Sequence, residues 1–464
     1  MIDTILNIIK KFIPERFFKF LQPHYHFLLA VLGNLIYRFP GRKLKVIGVT
    51  GTNGKTTTAI LTANMLKEAG FKVGLVTSNL IEVAGESIIK DSALGSTTLG
   101  RFKLQKLLRK MVSKGAEWVV LEVTSQGLEQ HRVLGIPFDV AIFTNLTHEH
   151  MELHGTMEAY RDAKAKLFKG LGKSYFKGVQ KTIIVNADDK YGKFYMDFKA
   201  ARRYSVSLGA EGLKGSIVIK AIDLNPTVFG TDFSVEVGGE KQSFHLGLPG
   251  SFNVSNALMA IAVGDALNIS AKAIKSALMK AEGIDGRMQR IDMGQGFNVY
   301  VDYAFTPNAF RMVLGSVREI TKGKIITVFG APGNRDVQKR PLMGNIVTKL
   351  SDVVIITDDE PATDDPEKII DDIKKGINLQ NFEVIRDRKE AINKAIQNAK
   401  AGDSVIIAGL GPSTVRYTGK KAEAWDDREV VREILRKNSK NSKAQISNAN
   451  FRPELKSKES MSND

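Results

Sequence analysis

The chain has 464 residues, 43% hydrophobic and 25% charged, which is the composition of a folded globular protein with two or three domains. It contains no cysteine, which excludes disulfide bonds and thiol catalysis. Residues 1–45 and 437–464 supply +9 of the net charge of +17, and the core has no basic stripe with interleaved aromatic residues, so we expect no nucleic-acid partner.

Residues 1–44 are predicted to form a helical arm. Residues 1–20 alternate apolar and basic side chains as an amphipathic helix does, and residues 27–37 form an apolar run too short to span a bilayer. Two acidic residues precede this run and no small-residue cleavage site follows it, which argues against a signal peptide. We expect the arm to pack on the first domain, with an interfacial membrane anchor through residues 1–40 as the alternative.

A phosphate-binding loop follows the arm. Residues 46–50 form a β-branched apolar run typical of a buried parallel strand, and residues 57–67 are predicted to form a helix. Glycines between a strand and a helix let backbone N–H groups converge on phosphate oxygens. The predicted nucleotide-binding residues are Gly51, Thr52, Asn53, Gly54, Lys55, Thr56 and Thr57. Lys55 would reach the outer phosphates, and the Thr56 hydroxyl would contact Mg²⁺.

Alternating strands and helices then predict a parallel sheet in a central ATP-binding domain over residues 45–287. Strands are expected at residues 71–77, 118–123, 140–146 and 181–187, and helices at 101–113 and 158–171. In residues 202–247 the pattern changes to consecutive strands of alternating residues, at 216–222, 230–237 and 242–248, which predicts an antiparallel extension of the sheet. Helices at 253–267 and 271–282 are expected to end this domain.

A second alternation predicts a Rossmann-like, doubly wound C-terminal domain over residues 288–436, so the fold class is α/β. Its strands are expected at residues 297–303, 324–329, 353–357, 383–385 and 404–408. Its helices are expected at 307–320, 343–350, 366–377 and 388–399. Residues 437–464 are rich in Ser, Asn and Lys and have no apolar period, which predicts a disordered tail.

Three side chains beyond the loop are candidates for metal chemistry. Glu122 ends an apolar strand and could hold Mg²⁺ beside Thr56. His150 could be a ligand of a second metal ion, although an ordinary loop histidine explains it equally well. Lys164 shares a helix face with Tyr160 and, from these residues alone, is better explained as a stem packed along the surface than as a functional group.

In order along the chain, these pieces resemble the Mur ligase family, in particular its UDP-N-acetylmuramoyl-tripeptide synthetases. The resemblance covers residues 45–433. Its motifs are the phosphate loop, Ser96-Thr97-Thr98, Glu122-Val123-Thr124-Ser125-Gln126, Gln130-His131-Arg132, Phe143-Thr144-Asn145-Leu146, His154-Gly155-Thr156, Leu248-Pro249-Gly250, Gly286-Arg287-Met288, Asp302-Tyr303-Ala304, Lys339-Arg340-Pro341 and Asp426-Asp427-Arg428.

The resemblance implies roles for individual residues. It places a carbamylated, Mg²⁺-binding lysine at Lys164 and metal ligands at Glu122 and His150, with two Mg²⁺ ions expected. Nucleotide contacts fall on Asn256, Asp302 and Arg287, the last at the γ-phosphate. The UDP-MurNAc-dipeptide contacts fall on Thr97, Thr98, Thr124, Gln130 and Arg132, and Arg335 would hold the α-carboxylate of the incoming amino acid.

The implied activity is ATP-dependent formation of an amide bond through an acyl phosphate, in the cytoplasm and by a monomer. Adding the third amino acid to UDP-MurNAc-L-Ala-D-Glu is the leading interpretation. A Mur-like ligase acting on a polyglutamate or lipid-linked acceptor is the alternative, followed by a P-loop regulatory or nucleic-acid-binding ATPase.

Both substrate ends depart from the family pattern. Only about 45 residues precede the loop, where the family usually has a uridine-binding domain, so we expect uridine recognition to differ. Asp359, Glu360 and Ala362 stand where diaminopimelate-adding members have Asp-Asn-Pro-Arg, and Ser413 replaces the Glu of Gly-Lys-Gly-His-Glu. We therefore expect Asp359 or Glu360 to attract the distal ammonium of an amino acid such as L-lysine.

Overall fold

The computed structural model of the protein describes residues 15–89, 98–237, 240–281, 283–419 and 421–449. In this part of the chain, one eleven-stranded sheet is built from residues 45–246 and one six-stranded sheet from residues 289–408. Each sheet has a buried apolar cluster on both of its faces, where helices pack against it. The predicted α/β fold class is confirmed.

The first sheet has parallel strands at its centre, because each is followed by a helix that returns the chain to the same edge. Its strands are β1 (Lys45–Thr50), β2 (Val73–Val76), β3 (Ile81–Val83), β4 (Glu86–Ile89), β5 (Trp118–Glu122), β6 (Val140–Phe143), β7 (Thr182–Asn186), β8 (Arg202–Ser207), β9 (Ile217–Thr227), β10 (Gly230–Val237) and β11 (Glu240–Leu246). The order is β11-β10-β9-β8-β7-β6-β1-β5-β2-β3-β4, with β1 parallel to both β5 and β6.

The helices of the arm and the first domain are α1 (Glu15–Ile36), α2 (Lys55–Glu68), α3 (Arg101–Ser113), α4 (Ser125–Glu129), α5 (Met151–His154), α6 (Met157–Leu171), α7 (Gly192–Met196), α8 (Ser251–Ala266) and α9 (Ala271–Met279). A 3-10 turn, Pro40–Lys43, joins α1 to β1. Because the carboxyl ends of β1, β5 and β6 share one edge of the sheet, the loops after these strands meet there.

The second sheet has the order β12-β13-β17-β14-β15-β16, and all of its pairs except β12 with β13 are parallel. Its strands are β12 (Gln289–Arg290), β13 (Asn298–Asp302), β14 (Ile325–Phe329), β15 (Val353–Ile356), β16 (Phe382–Val384) and β17 (Ser404–Ala408). Its helices are α10 (Pro307–Ile320), α11 (Lys339–Leu350), α12 (Pro366–Lys374), α13 (Arg388–Asn398) and α14 (Asp427–Ala449), with a hairpin of β18 (Val415–Thr418) and β19 (Lys421–Ala424) before α14.

Two sequence predictions differ from the structure. Residues 202–247 are not wholly antiparallel: β8 pairs in parallel with β7 and with β9, and only β10 and β11 run antiparallel to their neighbours. The sequence predicts disorder from residue 437, but α14 extends as a helix to Ala449. A helix already nucleated by packing adds residues without a new nucleation cost, and Glu433 pairs with Lys437 across one turn.

The N-terminal arm packs on the first domain through α1, as predicted, and residues 1–14 lie outside the described part. Ala30 and Asn34 are buried, and the Asn34 side chain donates a hydrogen bond to the Leu134 carbonyl at 2.8 Å. A Cβ atom on Gly33 would lie 3.7 Å from Phe102 of α3, so the two helices are in contact. No helix of the described part is long and apolar enough to cross a membrane.

Candidate active site

The loop between β1 and α2 bends where only glycine fits. Gly54 precedes α2 in the left-handed region, at φ 82°, and a Cβ atom there would lie 2.3 Å from the Asn256 side-chain oxygen. Helix α8 therefore presses Asn256 directly against the loop. The Asn53 backbone N–H donates to the Asn145 side chain at 2.9 Å, and the Thr144 hydroxyl donates to the Asn53 carbonyl at 2.6 Å. The end of β6 thus holds the loop from the other side.

Lys55, Thr56 and Glu122 form a connected polar group at the first turn of α2. The Thr56 hydroxyl donates to the Glu122 carboxylate at 2.8 Å, and the Lys55 ammonium lies 3.8 Å from the other carboxylate oxygen. Lys55 also donates to the Thr52 carbonyl at 2.8 Å. The Ser78 backbone N–H, which the sequence did not single out, donates to Glu122 at 3.1 Å. A carboxylate and a hydroxyl are thereby placed beside the predicted phosphate cradle, as a Mg²⁺ site requires.

Lys164 is buried behind the loop, with only 1% of its surface exposed. Its ammonium donates to the Gly51 carbonyl at 2.9 Å and lies 4.3 Å from the centre of the Tyr160 ring. Burial lowers the pKa of Lys164 well below its ordinary value, and the positive charge of Lys55 acts in the same direction. The interpretation of Lys164 as a surface stem, favoured by the residues alone, is wrong.

His150 lies at the turn before α5, in the left-handed region at φ 60°. Its Nδ1 lies 3.4 Å from the Glu152 carboxylate, and its ring meets the Tyr160 ring edge-on. Burial lowers the pKa of His150 to about 4, and the charges of Lys55 and Lys164 contribute. The ring is therefore neutral at pH 7 and has a lone pair for a metal ion. Among the described residues, no three His, Asp or Glu side chains cluster as a metal site.

A cavity between the two sheets connects the loop with the C-terminal domain. It is lined by Asn53, Gly54, Thr57, Asn256, Arg287 and Asp302, together with Tyr303 and helix α10. The Arg287 guanidinium lies 4.7 Å from the centre of the Tyr303 ring and 3.4 Å from the Thr56 hydroxyl.

Asp302 is a buried residue of this cavity, and Arg287 is half-buried. The Asp302 carboxylate accepts a hydrogen bond from the Met288 N–H at 2.7 Å, and burial raises the pKa of Asp302 to about 6. Arg287 Nε and the Asn53 side-chain nitrogen are buried without a hydrogen-bond partner among the described residues. Unused donors facing a cavity with a glycine cradle fit an anionic, phosphate-bearing ligand.

The predicted acceptor-binding residues form a second group, at the carboxyl end of β5. The hydroxyls of Thr98 and Thr124 lie 3.0 Å apart, and Arg132 donates to the Thr98 carbonyl at 2.6 Å and to the Gln130 side chain at 2.8 Å. Thr97 lies outside the described residues. The four described side chains thus lie together, and their contact with the acceptor stays a prediction.

The predicted amino-acid residues form a third group, at the carboxyl ends of β14 and β15. Asp359 is buried, and burial raises its pKa to about 6, against the charge of Arg388, whose Nη1 lies 3.9 Å away. Asp359 Oδ2 accepts no hydrogen bond from the described residues. Burial, and then the neighbouring Asp359, raise the pKa of Glu360, whereas Arg335 lowers it. The sequence predicted Arg335, Asp359 and Glu360 here but did not identify Arg388.

An ion pair that sequence reasoning missed joins the two domains. Lys339, from α11, lies 3.3 Å from the Glu149 carboxylate, and both side chains are buried. Lys339 also lies 4.8 Å from the centre of the Phe305 ring. Buried Lys339 and Glu149 stand on either side of the domain boundary, so the loop carrying His150 is tied to the C-terminal domain. The two residues are 190 positions apart in the chain, so no local sequence pattern predicts this ion pair.

Glu149→Gln is expected to destabilise the protein by about 3 kcal/mol, because it leaves the Lys339 ammonium buried without its charge partner. The free energy of unfolding in urea measures the effect. Glu152→Gln, three positions along and exposed, is the matched control and should change it by less than about 1 kcal/mol. The double variant Glu149→Gln, Lys339→Met should recover part of the loss. Additive losses would contradict a direct pair.

Comparison with protein families gives two matches. The Mur ligase middle domain matches residues 49–264, and the Mur ligase, glutamate ligase domain matches residues 286–411. The UDP-N-acetylmuramoyl-L-alanyl-D-glutamate--2,6-diaminopimelate ligase of Clostridium tetani is 40% identical over 88% of this chain and 81% of its own length. The protein of the same name from Bacillus cereus is 38% identical over 88% and 81%.

Solved structures agree with these matches. A structure of UDP-N-acetylmuramoyl-L-alanyl-D-glutamate--2,6-diaminopimelate ligase is 31% identical, covers 85% of this chain and 79% of its own, and has a TM-score of 0.59. Folylpolyglutamate synthase of Mycobacterium tuberculosis has a TM-score of 0.65 over 82% and 91% of the two chains, but at 15% identity it shows the fold alone. By sequence and fold together, this chain is a member of the Mur ligase family.

Proposed function

We propose that this chain is the ATP-dependent ligase that adds the third amino acid to UDP-MurNAc-L-Ala-D-Glu in peptidoglycan precursor synthesis, as a cytoplasmic monomer. The observation that carries the proposal is the group of Lys55, Thr56, Glu122 and Arg287 at a glycine loop facing the interdomain cavity. The relatives named as such ligases, which match 88% of the chain, support the choice of acceptor.

The reaction has two steps in this site. A carboxylate oxygen of the acceptor attacks the γ-phosphorus of ATP, and ADP leaves, which converts a poor electrophile into an acyl phosphate. The free amine of the amino acid then attacks the acyl carbon, loses a proton and expels phosphate. Lys55 and Arg287 would neutralise the charge on the transferred phosphoryl group. The loop would hold the β- and γ-phosphates so that the attacking oxygen approaches in line with the leaving ADP oxygen.

Thr56, Glu122, His150 and a carbamylated Lys164 would hold two Mg²⁺ ions, which supply Lewis-acid neutralisation of the phosphate oxygens. A carbamate forms when a neutral amine attacks CO₂ and loses a proton. Burial lowers the pKa of Lys164 and so favours its neutral amine. The carbamate would place an anion behind the loop, and so provide the oxygen ligand that the described His, Asp and Glu side chains do not complete.

The proposal is tested by ADP release from the purified full chain with ATP and Mg²⁺. ADP formation should require both UDP-MurNAc-L-Ala-D-Glu and an amino acid, and mass spectrometry should find the muramyl tripeptide. If ADP release does not depend on the muramyl dipeptide but requires a polyglutamate or lipid-linked carboxylate, that compound is the acceptor and the proposal is wrong.

Glu122→Ala and His150→Ala are each expected to raise the Mg²⁺ concentration that gives half-maximal ADP formation, by about tenfold or more, since each removes one ligand. The measurement is a Mg²⁺ titration at saturating ATP. Glu129→Ala, exposed at the end of α4, is the control and should titrate as the unchanged protein does. Unchanged Mg²⁺ requirements in both variants would remove these residues from the metal site.

The amino-acid site is proposed to favour a distal ammonium over a distal carboxylate. Ala362 has no guanidinium to pair with the second carboxylate of meso-diaminopimelate, and the half-buried Glu360 repels it. Asp359 Oδ2 is buried and accepts no hydrogen bond from the described residues, so it could accept one from an ammonium. Gly409, in the loop after β17, packs directly against this oxygen, because a Cβ atom at Gly409 would lie 1.8 Å from it. Ser413 stands in the place of a Glu, which removes one negative charge that would attract the distal ammonium.

In competition at equal concentrations, L-lysine is expected to be incorporated in preference to meso-diaminopimelate. A buried carboxylate without its arginine and beside a glutamate costs several kcal/mol, which is on the order of a thousandfold. The ratio of the two tripeptides by mass spectrometry measures this preference. Ala362→Arg should shift the ratio toward meso-diaminopimelate. A clear preference for meso-diaminopimelate by the unchanged protein, in line with the names of its relatives, would show that other residues form the pocket.

A further inference from the structure

Helix α1 has an apolar face turned away from the protein. Ala30, Gly33 and Asn34 lie on the face that packs on the first domain, where Ala30 and Asn34 are 2% exposed. At 100° per residue, the opposite face is formed by Leu28, Leu32, Leu35 and Ile36, which we call the outer face. Their exposures are 65%, 45%, 56% and 53%.

This arrangement is unusual for a helix at the surface of a folded domain, where the exposed side is normally polar. The four side chains follow one another at helical spacing, so they form one continuous patch rather than scattered exposed leucines. Contiguous exposed apolar surface marks a site for a partner or a membrane.

The neighbouring helix α3 is basic. Arg101–Ser113 contains five Lys/Arg and no acidic residue. Lys103, Lys106 and Lys110 are exposed, and none makes an ion pair with a described carboxylate. Since α1 packs on α3, this unneutralised positive surface lies on the helix next to α1. A second copy of this chain would bring its own lysines against these, so charge repulsion opposes self-association through this face.

The turn after α1 adds aromatic and basic side chains. Arg42 and Lys43, in the 3-10 turn, are exposed. The Tyr175 hydroxyl donates to the Arg42 carbonyl at 2.9 Å, which places Tyr175 and Phe176 beside this turn. Phe176 is 69% exposed. Exposed aromatic rings beside lysine and arginine are typical of segments that lie at a membrane–water interface.

We propose that the outer face of α1, with the basic surface of α3 and the turn after α1, docks on an anionic membrane surface. The leucines would enter the boundary of the acyl chains, and the lysines would pair with lipid phosphates. The contact is interfacial, since no helix of the described part could cross a bilayer. The inference is independent of which amino acid or acceptor the ligase uses.

Flotation of the full chain with vesicles tests the proposal. Vesicles of phosphatidylglycerol and phosphatidylcholine are compared with vesicles of phosphatidylcholine alone, at low and high salt. The protein should float with the anionic vesicles only, and high salt should weaken binding. Two combined variants should each lower the partition coefficient by about tenfold or more. The first carries Leu32→Glu and Leu35→Glu, and the second carries Lys103→Gln, Lys106→Gln and Lys110→Gln.

Leu379→Glu, at an apolar side chain of similar exposure in the C-terminal domain, is the matched control and should float as the unchanged protein does. Thermal unfolding confirms that each variant is folded, and the lysine set tests the same surface if the leucine pair destabilises the helix. Absence of flotation at low salt overturns the proposal. Binding to vesicles that neither set of variants reduces would also overturn it. A dimer in sedimentation that the double variant Leu32→Glu, Leu35→Glu abolishes would overturn it too, because a second copy of the chain would then cover the outer face.

Discussion

Lys55→Ala is expected to abolish ADP formation, by a factor of about a thousand or more, while the protein remains folded. The Lys55 ammonium stands at the first turn of α2, 3.8 Å from Glu122 and bonded to the loop carbonyl of Thr52. Removing it takes away a charge that would stabilise the transferred phosphoryl group, and a thousandfold loss corresponds to about 4 kcal/mol of transition-state stabilisation. Initial rates of ADP release at saturating ATP measure the effect.

Lys67→Ala is the matched control, because Lys67 lies on the same helix but pairs at the surface with Glu82. This variant should keep its activity within about twofold. Circular dichroism should show the same thermal transition for Lys55→Ala and the unchanged protein to within a few degrees. Full activity in Lys55→Ala would reject the assignment of the loop as the ATP site.

Lys164→Ala is expected to lose activity by about a hundredfold or more, and to regain part of it when short-chain carboxylic acids are added. The substitution opens a space behind Gly51 into which a small carboxylate can enter and supply the oxygen atoms that a carbamate would supply. ADP release is measured against the concentration of acetate or propionate, at constant ionic strength. A saturable rise in rate identifies a bound carboxylate rather than a salt effect.

Lys166→Ala, two positions along α6 with its side chain exposed, is the control and should neither lose activity nor respond to carboxylates. Mass spectrometry of the unchanged protein under CO₂ gives a readout independent of turnover, because a carbamate that is trapped chemically adds mass at Lys164 only. Lys164→Ala with the activity of the unchanged protein would leave Lys164 a structural role beside Tyr160.

Local patterns predicted much of the fold. The predicted bounds of strand β13 and helix α10 agree with the structure to within one residue at each end. β-branched residues favour a strand, and a Thr306 cap before Pro307 favours the start of a helix, so both signals are local in the sequence. The same is true of the loop at Gly54, where a left-handed residue must precede the helix. β8 was missed because a short strand with two arginines resembles a surface segment, and only pairing with β7 and β9 shows that it belongs inside the sheet.

The site divides in the same way. By itself the sequence determined the loop and its lysine, because their chemistry depends on neighbours within a few residues. Only the tertiary structure decided that Lys164 is buried, that Glu149 meets Lys339 and that none of the described residues covers the outer face of α1. Each of these depends on segments far apart in the chain, and a side chain's pKa, ion pairing and exposure follow from the dielectric and the charges that such distant segments bring to it.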